Sequence, residues 1–208
     1  MLAKTCHLTI LLGMLCSIHL AAQDKPKTGA SYEGLVQRAM SGDHTVDFRA
    51  LRLAYADSPS YGKGPDTSDT KKAMNIALNN KDFAKAIKNA DAILASDYVD
   101  MACHFAEYIA HRELKEAEAA ELHKAILQGL LKSITDSGDG KTPETAYQVI
   151  EVHEEYVLLH FMGVGLPSSQ SLLRKNGHAY DEIKFEDPKS KMEVTLYFNV
   201  DIPTKHGL

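Results

Sequence analysis

The sequence predicts an α+β fold, with stacked helical hairpins first and an antiparallel β-meander after them. Three observations carry that expectation. From Asp69 to Ile134 apolar residues recur at the helical spacing, and past Gly138-Asp139-Gly140 they alternate with a period of two. Asn176-Gly177 then supplies a two-residue turn in which both positions need positive φ, the strongest hairpin signal in the chain.

The first 22 residues stand apart from this fold. Lys4 precedes a short apolar run from Leu8 to Leu20, and Ala21-Ala22 close it before Gln23. That is the anatomy of a secretory signal peptide, too short to span a bilayer comfortably. Neither Cys6 nor Cys16 lies in the small-residue pattern of a lipoprotein site, so the expected product is exported to the periplasm or beyond without a lipid anchor. No later segment is long and apolar enough for a transmembrane helix. Past the leader only Cys103 remains, so no internal disulfide forms, and its simplest reading is a small, partly buried side chain on a helix. The whole chain has a formal charge of −5 and no visible basic face, which argues against nucleic acid as a partner.

The helical part covers residues 23–135. Residues 24–30 form a lead-in. A first helix starts near Ser31, turns Leu35, Ala39 and Met40 inward and stops at Gly42. Phe48, Leu51 and Tyr55 mark a second piece, ended by Ser58-Pro59, and residues 57–70 are rich enough in Ser, Pro, Gly and Asp to be a loop. Phe83, Ile87, Ala90 and Leu94 form one stripe of a helix capped by Asp82. Tyr98, Ala102, Phe105 and Ile109 repeat the spacing behind Asp97, and Leu122, Ile126, Leu130 and Ile134 line a third helix that begins at Glu116. Connections this short require antiparallel neighbours.

The sheet part covers residues 136–208 and is expected to pack with the helices as one unit. Residues 146–150 form a short strand. Residues 154–162 read as another, with Tyr156, Leu158 and Met162 on one face and Val157, Leu159 and Phe161 on the other. Residues 171–175 and 178–186 flank the Asn-Gly turn. Met192, Val194, Leu196, Phe198 and Val200 alternate with polar neighbours along the last strand. Consecutive short connections imply an antiparallel meander of four or five strands.

Few residues carry chemistry. Arg49 and Arg52, with Tyr55 and Tyr61 nearby, make a binding patch suited to a carboxylate or a sugar acid. The competing and favoured reading has the arginines tying the 57–70 loop to the helices. His104, Glu107 and His111 lie opposite the apolar stripe of their helix, which favours a solvated face. His104 and His111 are seven residues apart, about 10 Å along a helix axis, too far to share a zinc ion. Either could form half a site with Glu107, but no completing ligand is evident. Gly138–Thr142 fails the phosphate-loop and EF-hand patterns and reads as a turn. Glu154 and Glu155, adjacent on a strand, would face opposite ways, with His104 or His123 as distant acid–base partners. No cofactor motif is present.

Small alanines (Ala86, Ala90, Ala102, Ala106 and Ala120) sit where helices approach closely, and the hairpins over residues 82–131 resemble tetratricopeptide-like helix pairs for about one and a half repeats. A second resemblance spans nearly the whole chain after the leader. It rests on residues 48–55 (Phe-Arg-Ala-Leu-Arg-Leu-Ala-Tyr) with Ser58 and Tyr61, on Leu130-Leu131-Lys132-Ser133-Ile134 and on Ser137-Gly138-Asp139-Gly140-Lys141-Thr142. Thr145-Ala146-Tyr147, Val149-Ile150, Glu154-Glu155-Tyr156-Val157-Leu158 and Leu196-Tyr197-Phe198-Asn199-Val200 complete it. In these phrases the chain resembles an exported bacterial family known as domain of unknown function 4919. The resemblance implies export and one family unit, and it carries no substrate, cofactor or catalytic residue. The expected function is a non-catalytic binding or accessory module of the bacterial envelope, with a protein or peptide partner. The alternatives are a small exported hydrolase, using His104 or His123 with Glu154 or Glu155, and an envelope structural protein.

Overall fold

Three of the first four helices begin where the short polar side chain of the capping residue satisfies a free backbone N–H. In the computed structural model, which describes residues 31–188 and 190–207, α1 (Tyr32–Met40) follows Ser31, whose hydroxyl accepts from the Gly34 N–H at 3.2 Å. The predicted signal peptide lies outside the described residues. Asp47 caps α2 (Phe48–Ala56) in the same way, α3 (Ser68–Asn79) follows, and Asp82 caps α4 (Phe83–Leu94).

The next cap differs from the expectation. Asp100, not Asp97, starts α5 (Met101–Glu113), accepting from the Cys103 N–H at 3.0 Å. Asp97 instead closes a turn by accepting from the Val99 N–H at 3.2 Å, so Tyr98 precedes the helix. The long α6 (Ala117–Thr135) completes the helical half. Lys81 and Lys115, both in the left-handed region, reverse the chain between α3 and α4 and between α5 and α6. Ala86, Ala90, Ala106 and Ala110 are all but inaccessible, which lets the helices approach closely. Met40, expected inward, points to solvent with 58% of its surface exposed.

Past a 3-10 turn over Pro143–Thr145 come β1 (Tyr147–Gln148), α7 (His153–Phe161), β2 (Ser169–Lys175), β3 (His178–Glu186), β4 (Glu193–Asn199) and a short α8 (Asp201–Lys205). Two expectations are corrected here. The segment read as a strand over 154–162 is the helix α7. Its run Tyr156-Val157-Leu158-Leu159 is apolar without interruption, and such a run fits a buried helix as well as a strand. Glu154 and Glu155 fall in its first turn, where the helix dipole favours acidic groups.

The sheet is mixed, not an antiparallel meander. Its order is β1-β4-β3-β2; β2, β3 and β4 run antiparallel, while β1 pairs parallel to β4 with Tyr147 opposite Phe198. With α7 no longer a strand, the path from β1 to β4 becomes a crossover. Asn176 and Gly177 have φ of 53° and 83°, as the predicted turn requires. One continuous core joins both halves: Leu51, Ile126 and Leu130 of the helices share it with Ile183, Leu196 and Phe198 of the sheet. The fold is α+β.

Candidate functional site

The largest fully buried side chain in the core is a charged one, Arg52 of α2. Its Nε donates to Glu154 Oε1 at 2.9 Å and its Nη2 to Glu154 Oε2 at 2.5 Å. Nη1 reaches the Ser133 hydroxyl and Nη2 also the Gln148 carbonyl, each at 3.1 Å. Glu154 Oε2 further accepts from the Ile150 N–H at 2.8 Å. Each nitrogen of the guanidinium and each oxygen of the carboxylate therefore has at least one partner, as a buried charge requires.

This arrangement takes apart the arginine–tyrosine patch expected from the sequence. Tyr55 and Tyr61 are also buried, edge to face at 5.4 Å, and the Tyr61 hydroxyl donates to the Ile150 carbonyl. Burial pushes both phenols far above their ordinary range. Only Arg49 is exposed, within 3.4 Å of Gln148 Oε1. Arg52 ties α2 to α6, β1 and α7; it does not hold the 57–70 loop.

Glu155 turns away from Glu154, as neighbours on a helix do. It faces the sheet, where Gln170 Nε2 bonds Asp181 Oδ2 at 2.6 Å and lies 3.4 Å from Glu155 Oε2. Burial, and then the nearby Asp181, raise its carboxyl to about 9. A second acidic group gathers at the start of α5. There burial and mutual repulsion raise Asp97 to about 7 and Glu151 to about 9. Against the cost of burial, His153 and Lys71 hold Asp100 below its ordinary value, with Lys71 Nζ 2.6 Å away.

The face of α5 expected to be solvated is interior. α5 is packed among α3, α4, α6 and α7, so His104 and Glu107 lie within the fold, 0% and 1% exposed. His104 Nε2 contacts the Tyr98 carbonyl at 2.8 Å, and its Nδ1 lies 3.1 Å from Nδ1 of His123 on α6. Burial lowers His104 to about 4 and, together with the neighbouring histidines, His123 to about 3. Glu107, His111 and His123 each bring one donor atom into a cluster in which no two are more than 4.8 Å apart. His104 and His111 do not come together as a pair; His123, twelve residues beyond His111, supplies the third member. The helical spacing of Glu107 and His111 was the only sequence signal for this group. Among the described residues, neither His104 nor His123 hydrogen-bonds to Glu154 or Glu155.

A groove opens on the other side of α6. Ala39, Phe48, Leu122, Ala125 and Ile126 give it an apolar floor, and Asp43, Glu118 and Glu121 stand at its margin; its volume is about 390 Å³. Phe48 reaches this position by packing its ring against Gly129, where a Cβ would be only 2.2 Å from the ring. No helix among the described residues is long and apolar enough to cross a membrane.

Comparison with curated proteins finds no match, and none is found among solved structures. A family model does match, over residues 17–206, and its span takes in the helices, the sheet and every side chain described above. The chain belongs to the family described as Domain of unknown function (DUF4919).

Proposed function

We propose that this protein is an exported, non-catalytic binding module of the bacterial envelope that holds a basic segment of a partner protein. The groove between the α1–α2 connection and α6 carries this reading. Its apolar floor fits one or two aliphatic or aromatic side chains, and Glu118 at its margin, with Glu121 shared with Lys124 at 3.0 Å, complements flanking Lys or Arg, while Asp43 is held by Arg38 at 2.7 Å. The overall charge of −5 adds to the attraction for a basic ligand. The occupied hydrogen bonds of Arg52 and Glu154 support the same reading, because those groups serve the core and are not free for a substrate.

The test is titration of the purified protein with short peptides that carry an apolar pair flanked by lysines, and with charge-reversed versions. The expected result is saturable binding of the basic set alone, weakened at least ~10-fold by Glu118→Lys with Glu121→Lys and weakened again by salt. Equal affinity for both sets, or turnover of an ester, peptide or glycoside panel, overturns it; the latter result favours the small exported hydrolase. Export itself is tested by sequencing the N-terminus of the product, which should begin near Gln23.

A further inference from the structure

We propose that Glu107 and His111 of α5 and His123 of α6 form a binding site for a zinc ion that pins the two helices together. The donor set is two imidazoles and one carboxylate, the ligand classes zinc takes, with one tetrahedral position left for water. Glu107 Oε2 and His111 Nε2 are already 3.0 Å apart, and the whole set lies within 4.8 Å. Ligand atoms about 2.0–2.1 Å from a tetrahedral ion are roughly 3.3 Å from one another, so shifts of about 1 Å complete the site.

Three independent features of the surroundings prepare it. First, both carboxylate oxygens of Glu107 are buried without a hydrogen-bond partner; His111 is close but not aligned to donate. A side chain 1% exposed and unpartnered in this way calls for a cation or a proton. Second, His111 Nδ1 lies 2.6 Å from Glu116 Oε2. That contact fixes the proton on Nδ1 and turns the Nε2 lone pair toward Glu107, in the carboxylate–histidine–metal arrangement of zinc proteins. Third, the Tyr98 carbonyl can only accept, so neutral His104 carries its proton on Nε2 and offers Nδ1 as an acceptor. His123 Nδ1 must then donate to it, which leaves the His123 Nε2 lone pair bare. Glu116 and His104 are thus positioning residues, each setting the tautomer of a ligand.

The experiment is titration of the purified, metal-stripped protein with Zn²⁺ alone against a chromogenic chelator, with Co²⁺ as a spectroscopic probe of geometry. One zinc per chain is expected, with an intense tetrahedral Co²⁺ spectrum. His123→Ala and the isosteric Glu107→Gln should each weaken binding by more than ~100-fold, and Glu116→Ala, which alters only an exposed side chain, by ~10–100-fold. His178→Ala, on the sheet, should bind as the parent does. Absence of stoichiometric zinc, an octahedral Co²⁺ spectrum, or affinity unchanged in Glu116→Ala would overturn the assignment. The Co²⁺ spectrum and the Glu116 variant decide the matter even if a buried substitution unfolds the chain.

Discussion

Arg52 and Glu154, 102 residues apart in sequence, meet fork to fork in the interior at 2.9 and 2.5 Å. A buried ion pair of this kind contributes less than its Coulomb energy, but removing one partner strands the other charge. Arg52→Met or Glu154→Gln alone should destabilise the protein by ~3–5 kcal/mol in urea denaturation. Arg52→Met combined with Glu154→Leu should cost clearly less than the sum of the two single changes. Additive costs would show that the two side chains act independently.

Stability should fall as pH rises from 7 to 9. Glu155 has a folded value near 9 against an ordinary 4.5, so its contribution is complete below 4.5 and is lost as pH climbs through 9. Glu151, also near 9, has the same sign. Urea midpoints at pH 7, 8 and 9 measure the slope, which lies above the histidine range. Glu155→Gln should recover on the order of 1–3 kcal/mol of the loss at pH 9. A midpoint that rises over this range contradicts the assignment.

Gly129→Ala should destabilise the protein although alanine is the better helix former. The intrinsic gain is up to about 1 kcal/mol, but the added methyl displaces Phe48 at a cost of ~1–3 kcal/mol. Because Phe48 lines the groove, peptide affinity should fall with it. Thermal denaturation and peptide titration of one variant read both effects; a stabilised variant would mean that the ring swings aside freely.

Cys103 should resist alkylation in the folded state. It is wholly buried, and burial drives its thiol well above the ordinary range, so little thiolate forms. In the protein without residues 1–22 it is the sole cysteine, and its reaction with iodoacetamide should be at least ~10³-fold slower than that of a free thiol. Rapid labelling under native conditions would expose a local opening at the start of α5.

The parts of the fold readable in the sequence are those with long, uninterrupted periods. α4 shows its cap and stripe, and β4 shows a period of two around Leu196 and Phe198. α7 was hidden because its apolar run has no polar gaps to reveal a period, and the helix is fixed by packing beneath the core. The parallel β1–β4 pairing leaves no local mark, since the partners are some fifty residues apart. Arg52 reads in the sequence as part of a binding patch or a tie to the 57–70 loop because a charged side chain is seldom fully buried, and Glu154, which makes its burial tolerable, lies on another element. The meeting of His123 with Glu107 and His111 depends on how far α6 slides along α5, which a single sequence does not encode in any short window.

The placement of β4 bears on when the molecule can become whole. It fills the gap between β1 and β3, yet it is made after both. Until β4 has been made, the β2–β3 hairpin stands without its inner neighbour, and β1 has nothing to pair with. Assembly of the sheet must therefore wait for β4, and a product cut short before Glu193 would keep an open strand edge beside bare apolar surface.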